Sequence, residues 1–240
     1  LRIQANVRRT VDELDALRGL PAGHLSVGVG PVEAIAIMSE ALTRFLRVNS
    51  TTQVSVREGF STMLEPALLE GTLDFIVGGG GRGNGASAIS PLRAELLGYV
   101  KPAVVVRKQH PLARKAHVQI TDLARAAWIV PHGSGVPFEN FVGLFAGAGL
   151  PAPSGRIRAA TTSWTALGLV MRSDVVALLP EQLIHSGVES GDLKILNVGS
   201  DFYAFPAYLV SRDDVIMSSA ATALVAEIRS VCRERSGRLS

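Results

Sequence analysis

Glycine-bearing turns and five histidines are where residue type and spacing could support chemistry in this chain. Gly28-Val29-Gly30 follows an alternating, strand-like pattern and precedes a helical one, the setting of a dinucleotide fingerprint, and Glu58 closes the next strand. The third glycine fails. Position 33 is Glu33, whose charge would face the pyrophosphate that a helix N-terminus stabilises. The run Gly78-Gly79-Gly80-Gly81 is not closed by Gly-Lys-Ser/Thr, so it is no P-loop. His132-Gly133-Ser134-Gly135 would need glycine at 132 to form a hydrolase nucleophile elbow. His24, His110, His117, His132 and His185 show no i,i+4 or clustered ligand spacing. No metal, no cofactor and no catalytic constellation is expected, and the chain reads as a binding protein rather than an enzyme.

The chemistry that remains is hydrogen bonding at strand-to-helix turns. In open α/β sheets ligands bind beyond the carboxyl ends of strands, where a helix start offers unpaired N–H groups. Four turns qualify: Gly30 to Glu33, Gly59 to Ser61, Pro131 to Val136, and Thr161 to Ser163. The candidate ligand-binding residues are Gly30, Pro31, Val32, Glu33, Phe60, Ser61, His132, Ser134, Gly135, Thr161, Thr162 and Phe202. For Ser61, Ser134 and Thr162 the rival reading is simple N-capping. For Glu33 it is an acid placed against the helix dipole. Trp164 shares a helical face with Leu167 and Met171 and reads as core. Cys232 continues the stripe Ala221, Leu224, Val225, Ile228 and Val231, so it reads as a reduced core thiol.

These turns require alternating strands and helices to hold them. Leu25, Val27 and Val29 alternate as a strand, and Ile35, Met38, Leu42 and Phe45 give a helical face. Val54 and Val56 alternate with polar neighbours as a half-buried strand, Leu64 and Leu68 recur at helical spacing, and Gly71 stands at the helix C′ position. Leu73 to Val77 resumes as a buried strand. Gly78 to Ser90 is glycine-rich and reads as a surface loop. A second round runs through strands at Ala103 to Val106, Trp128 to Val130, Arg156 to Ala160 and Val175 to Leu178. Its helices fall near Glu139 to Ala148 and Trp164 to Met171. Tyr208 to Val210 gives a last strand, and Ser218 opens a last helix. Strands joined by helical crossovers predict parallel sheets. Before all of this, Ile3, Val7, Val11, Leu14 and Leu17 lay an apolar stripe along a charged helix that Gly19 and Pro21 stop.

Bulk properties fit a globular protein of one long domain or two lobes. The chain has 240 residues, 47% hydrophobic and 19% charged, which excludes a disordered tail. No apolar run approaches the ~20 residues of a membrane helix. A single cysteine excludes an internal disulfide. The net charge of +3 is modest, with arginines near both ends. These read as solvated helix faces, with proximity to nucleic acid in a longer parent protein as the alternative. No helix-turn-helix, zinc-finger or RNA-binding signature is present. Because the chain begins at Leu1 without Met, it reads as a fragment.

The segment Val54 to Gly78, VSVREGFSTMLEPALLEGTLDFIVGG apart from its last glycine, combines an acid-glycine turn, a leucine-bearing helix closed by glycine and a Leu-Asp strand. His110-Pro111-Leu112-Ala113, Thr121-Asp122-Leu123, Trp128-Ile129 and Val175-Val176-Ala177-Leu178-Leu179-Pro180 follow in order. Across roughly residues 25 to 210 the chain resembles the effector-binding domain of LysR-type transcriptional regulators. The resemblance implies an α/β fold of two Rossmann-like lobes joined by two hinge crossings, like type II periplasmic binding proteins. It implies the end of a linker helix at residues 1–19, lobe I at 24–98 and 207–235, and lobe II at 102–204. Tyr99, Val100, Phe205 and Pro206 would be the hinge, and a small-molecule effector would bind in the interlobe cleft. Related regulators often supply hydroxyls from positions matching Val32 and Ser61, of which only Ser61 keeps one. A homo-oligomer, dimer or tetramer, is implied, with promoter DNA bound through an N-terminal helix-turn-helix absent from this chain. A cytoplasmic location with no membrane partner fits. The rival readings are a free-standing periplasmic-type solute-binding protein, disfavoured by the arginine-rich first helix without signal-peptide character, and an enzyme on the same scaffold.

Overall fold

In the computed structural model, the described residues are 24–30, 37–78, 91–131, 136–154, 157–159, 163–199 and 204–236. The amphipathic stripe of residues 1–19 and the glycine-rich stretch 79–90 lie outside them. The chain divides into two compact units, Leu1–Gly98 with Pro206–Ser240, and Tyr99–Phe205.

The first unit is built on a five-stranded sheet in the order β2-β1-β3-β10-β4. Its strands are β1 (His24–Val29), β2 (Gln53–Glu58), β3 (Phe75–Gly78), β4 (Leu92–Val100) and β10 (Phe205–Arg212). β1 runs parallel to β2 and β3, whereas β10 runs antiparallel to β3, so the sheet is mixed rather than parallel throughout. The strand period of two splits side chains between the faces. Leu25, Val27 and Val29 of β1, with Phe75 and Val77 of β3, pack against helix α1 (Ser39–Val48) and the last helix, α7 (Ser219–Ser236). The opposite face packs Ile76, Leu73 and Val210 under Leu64, Ala67 and Leu68 of helix α2 (Ser61–Leu69). Gly28 lies on that second face: a Cβ there would stand 2.9 Å from Leu73 Cδ1. Packing, not phosphate approach, therefore explains this glycine.

Local chemistry sets the element ends. Gly71 takes φ +79°, and its N–H and that of Thr72 bond to the carbonyls of Leu68 (3.1 Å) and Ala67 (2.9 Å), a Schellman closure of α2. The Leu-Asp pair is not itself strand. Instead Asp74 exchanges two bonds with β1: its N–H donates to Ser26 O (2.7 Å) and its carboxylate accepts the Ser26 N–H (2.8 Å). Ser218 accepts the Ala221 N–H at 3.2 Å and so opens α7. Cys232 is buried on this helix. β2 departs from the expected half-buried strand, because it is a sheet edge and Val56 is 48% exposed.

The second unit carries the sheet β7-β6-β8-β5-β9. Its strands are β5 (Pro102–Arg107), β6 (Ala127–Pro131), β7 (Ile157–Ala159), β8 (Val175–Pro180) and β9 (Leu193–Ile195). β6 is parallel to β7 and β8, and β5 is antiparallel to β8 and β9, so this sheet is mixed as well. One face, with Val104, Val106, Val176 and Leu178, is closed by α3 (Ile120–Ala124) and α4 (Val136–Ala146). There Trp128 stacks edge-on with Phe141 and Phe145 at centroid distances of 5.1 and 5.7 Å, and its indole N–H donates to Leu123 O at 2.7 Å. The Thr-Asp-Leu and Trp-Ile motifs thus meet in one contact. Helices α5 (Ser163–Val170) and α6 (Glu181–Glu189) also lie against this sheet.

Candidate ligand-binding site

In the first unit three strand ends converge. Gly30 N–H donates to Val77 O at 2.8 Å, Gly59 N–H donates to Val29 O at 3.0 Å, and a Cβ on Gly78 would stand 3.4 Å from Gly30 N. From this rim α2 departs with Phe60 as its N-cap, extended at φ −83° and ψ 159°, and without any side-chain cap. The Phe60 carbonyl accepts from Met63 N (2.8 Å) and Leu64 N (3.0 Å). The N–H groups of Ser61 and Thr62 consequently have no intrahelical acceptor, and the first turn holds no acid. Such an end favours a negative or hydrogen-bond-accepting group. Ser61 occupies the first helical position rather than the N-cap, which sets aside the capping explanation for its hydroxyl. Phe60 is 49% exposed and offers an apolar surface beside it.

In the second unit the ends of β6 and β7 are neighbours, with Pro131 opposite Ala159 in parallel register. The strand ends that precede α4 and α5 therefore lie side by side. Trp164, expected in the core, is 53% exposed, and Met171 is exposed too. The buried stripe of α5 is carried by Ala166, Leu167 and Val170, whose centre lies roughly 115° around the helix from Trp164. The i,i+4 pair Ala166 and Val170 was the sequence signal for that orientation.

Of the candidate ligand residues the structure brings together Gly30, Phe60 and Ser61. Pro31, Val32, Glu33, His132, Ser134, Gly135, Thr161, Thr162 and Phe202 lie outside the described residues. The division between units falls at Gly98 and Tyr99 and again at Phe205 and Pro206. Tyr99 is exposed and Val100 buried, while Phe205 and Pro206 are half-buried.

Among the described residues no group of three or more His, Cys, Asp or Glu could hold a metal ion. No described helix is long and apolar enough to cross a membrane. Three described histidines have structural partners: His24 Nε2 lies 3.0 Å from Ser55 Oγ, and His185 Nε2 lies 3.3 Å from Glu189. His110 Nδ1 accepts the Leu112 N–H at 3.1 Å and so shapes the 3-10 turn Pro111–Arg114. Burial pushes its imidazole below the usual histidine range, and the nearby Arg107 adds to this while Asp174 opposes it.

The model of the LysR substrate binding domain family matches residues 18–233. The HTH-type transcriptional regulator GalR of Pseudomonas putida is 29% identical over 236 residues, 98% of this chain and 58% of that protein. PcaQ of Agrobacterium fabrum, also an HTH-type transcriptional regulator, is 25% identical over 95% of this chain and 72% of its own length. Among solved structures, the effector binding domain of QuiR in complex with shikimate superposes with a TM-score of 0.70 at 18% identity, covering 88% of this chain and 98% of that domain. CbnR, a LysR family transcriptional regulator, gives 0.69 at 18% identity, covering 96% of this chain and 77% of CbnR. These structural likenesses bear on the fold, which is that of type II periplasmic binding proteins.

Proposed function

The chain belongs to the LysR substrate binding domain family, and from that premise we propose that it is the effector-sensing and oligomerisation part of a LysR-type transcriptional regulator. The observation that carries the reading is the family match over residues 18–233, joined to a helix start at Ser61 and Thr62 whose N–H groups have no intrahelical acceptor. A small metabolite would bind at the turns that follow β1, β2, β6 and β7. Gly30, Phe60 and Ser61 would contact it from the first unit. The turns holding Pro31, Val32, Glu33, His132, Ser134, Gly135, Thr161 and Thr162, together with Phe202, complete the proposed set. Binding shifts the regulator between states only by as much as the metabolite prefers one of them. Motion would be absorbed at Tyr99, Val100, Phe205 and Pro206, where the chain passes between its two units.

Promoter DNA would be contacted by another part of the parent protein. The chain spans 58% of the length of GalR, and its relatives are named as HTH-type regulators. A cytoplasmic location follows from that role. Self-association is supported by the six-residue edge strand β2 and by the exposed Leu46 and Val48 on α1, surfaces that a second copy could cover.

A thermal-shift screen against a metabolite panel tests the effector reading. A ligand at ~100 times its dissociation constant stabilises the protein by about 2.7 kcal/mol. The reading fails if no metabolite of a broad panel raises the unfolding midpoint.

A further inference from the structure

We propose that the end of the first sheet at which β1 begins is a docking surface for residues 1–19 of the same chain, so that this segment leaves the unit at a fixed angle instead of swinging on a free joint. The inference goes beyond the effector reading and does not depend on it. Three elements meet at this sheet end. α2 finishes at Leu69, which is 39% exposed, and closes through Gly71. Asp74, just after it, bonds to Ser26 of β1, two residues from the start of that strand at His24. β10 runs antiparallel to β3 with Val210 opposite Ile76, so the chain beyond Arg212 emerges at the same end. There Ile216 is 89% exposed, the most exposed large apolar side chain among the described residues. Each of the two apolar groups has exposed acids beside it in the chain, Glu70 after Leu69, and Asp213 and Asp214 before Ile216.

What enters at this end names the occupant. Residues 1–19 carry the stripe Ile3, Val7, Val11, Leu14 and Leu17, with Arg8 following Val7 and Arg18 following Leu17. At helical spacing Arg18 lies on the border of the stripe, four residues after Leu14. Leu14 and Leu17 laid against Leu69 and Ile216 take apolar surface from water on both sides and bring Arg18 toward Asp213 and Asp214. The reach suffices. From Gly19 to His24 the chain spans up to ~17 Å, whereas β10 lies two strands from β1, ~10 Å at the usual spacing. So short a tether holds the segment at an effective concentration on the order of millimolar, above that of a second copy at micromolar protein.

Hydrogen–deuterium exchange of the full chain, read by mass spectrometry on its N-terminal peptides, tests the proposal against a synthetic peptide of residues 1–19. An isolated helix of this length is marginal in water, so docking should slow exchange over residues 10–18 by roughly tenfold or more relative to the peptide. That protection is expected to be the same across a range of micromolar protein concentrations. Ile216→Ser and Leu17→Ser should each remove most of it. Because Ile216 is exposed, its replacement leaves the fold intact, which an unchanged unfolding midpoint checks. Exchange as fast as in the peptide overturns the proposal. Protection that grows with protein concentration marks pairing with a second copy and overturns it too, as does protection indifferent to Ile216→Ser. Whether a metabolite raises the unfolding midpoint bears on effector sensing alone, so the two readings fail separately.

Discussion

His110 is buried in the second unit and is held neutral by its surroundings, and its Nδ1 can accept the Leu112 N–H only while unprotonated. Because burial lowers its folded pKa below the ordinary histidine value of 6.5, the native protein binds fewer protons at this site than the unfolded chain does. The associated stability is fully present above pH 6.5 and is lost as pH falls below it. Urea midpoints measured at pH 7.5 and 5.5 should therefore differ, and the difference should shrink in His110→Asn, whose amide oxygen can accept the same N–H. An undiminished difference would place the proton elsewhere. In the first unit, Asp74→Ala removes the acceptor of the Ser26 N–H and should cost about 1–3 kcal/mol in chemical denaturation. The role of Asp74 is invisible in the sequence alone, where the residue looks like a polar interruption in a buried strand. Trp164 shows the opposite failure: its spacing from Leu167 and Met171 imitates a core stripe, and only the actual rotation of α5 reveals it as exposed.

Elements show why most of the architecture was legible and where legibility stopped. Gly71 supplies the positive φ that ends α2, and Ser218 supplies the cap that starts α7; both residue types announce their role in the chain. Gly71→Ala should destabilise by about 1–2 kcal/mol, since alanine resists a φ of +79°. The unfolding midpoint checks this, and a change under a few tenths of a kcal/mol would mean that the turn relaxes freely. Strand direction was not legible. β10 and β5 read as ordinary apolar runs, and nothing in them encodes that each lies antiparallel to a neighbour. β4 was missed over most of its length, because LRAELLGYV lacks the β-branched residues that mark strands until its final valine. For the candidate site, the turns were legible as breaks between periodic segments. That Phe60 rather than Ser61 forms the N-cap of α2 depends on where the first turn closes, which residue type does not encode. β2 adds a test at this scale: Val56→Lys, on an exposed edge, should change stability by no more than about 0.5 kcal/mol. If self-association uses this edge, the same substitution should shift analytical ultracentrifugation toward monomer.

At the scale of the whole molecule, the two units differ in how their sequence is distributed. Tyr99–Phe205 is continuous, whereas the first unit is assembled from both sides of it. β10 sits inside the first sheet, between β3 and β4, and Leu224 and Ile228 of α7 fill the core over β1. Expressed alone, residues 99–205 should give one cooperative denaturation transition, while residues 24–98 should not. A cooperative transition from residues 24–98 would show that β10 and α7 are dispensable. The division also bears on birth at the ribosome. Chain synthesis runs at roughly 5–20 residues per second, so the β3 edge of a nascent molecule stays open for roughly 5–20 s while the second unit emerges and closes. During that interval the apolar faces of β1 and β3 lack their α7 cover, and two neighbouring nascent chains could pair their open β3 edges with one another. Translation speed and holdase chaperones would then set how much of this chain reaches its folded form.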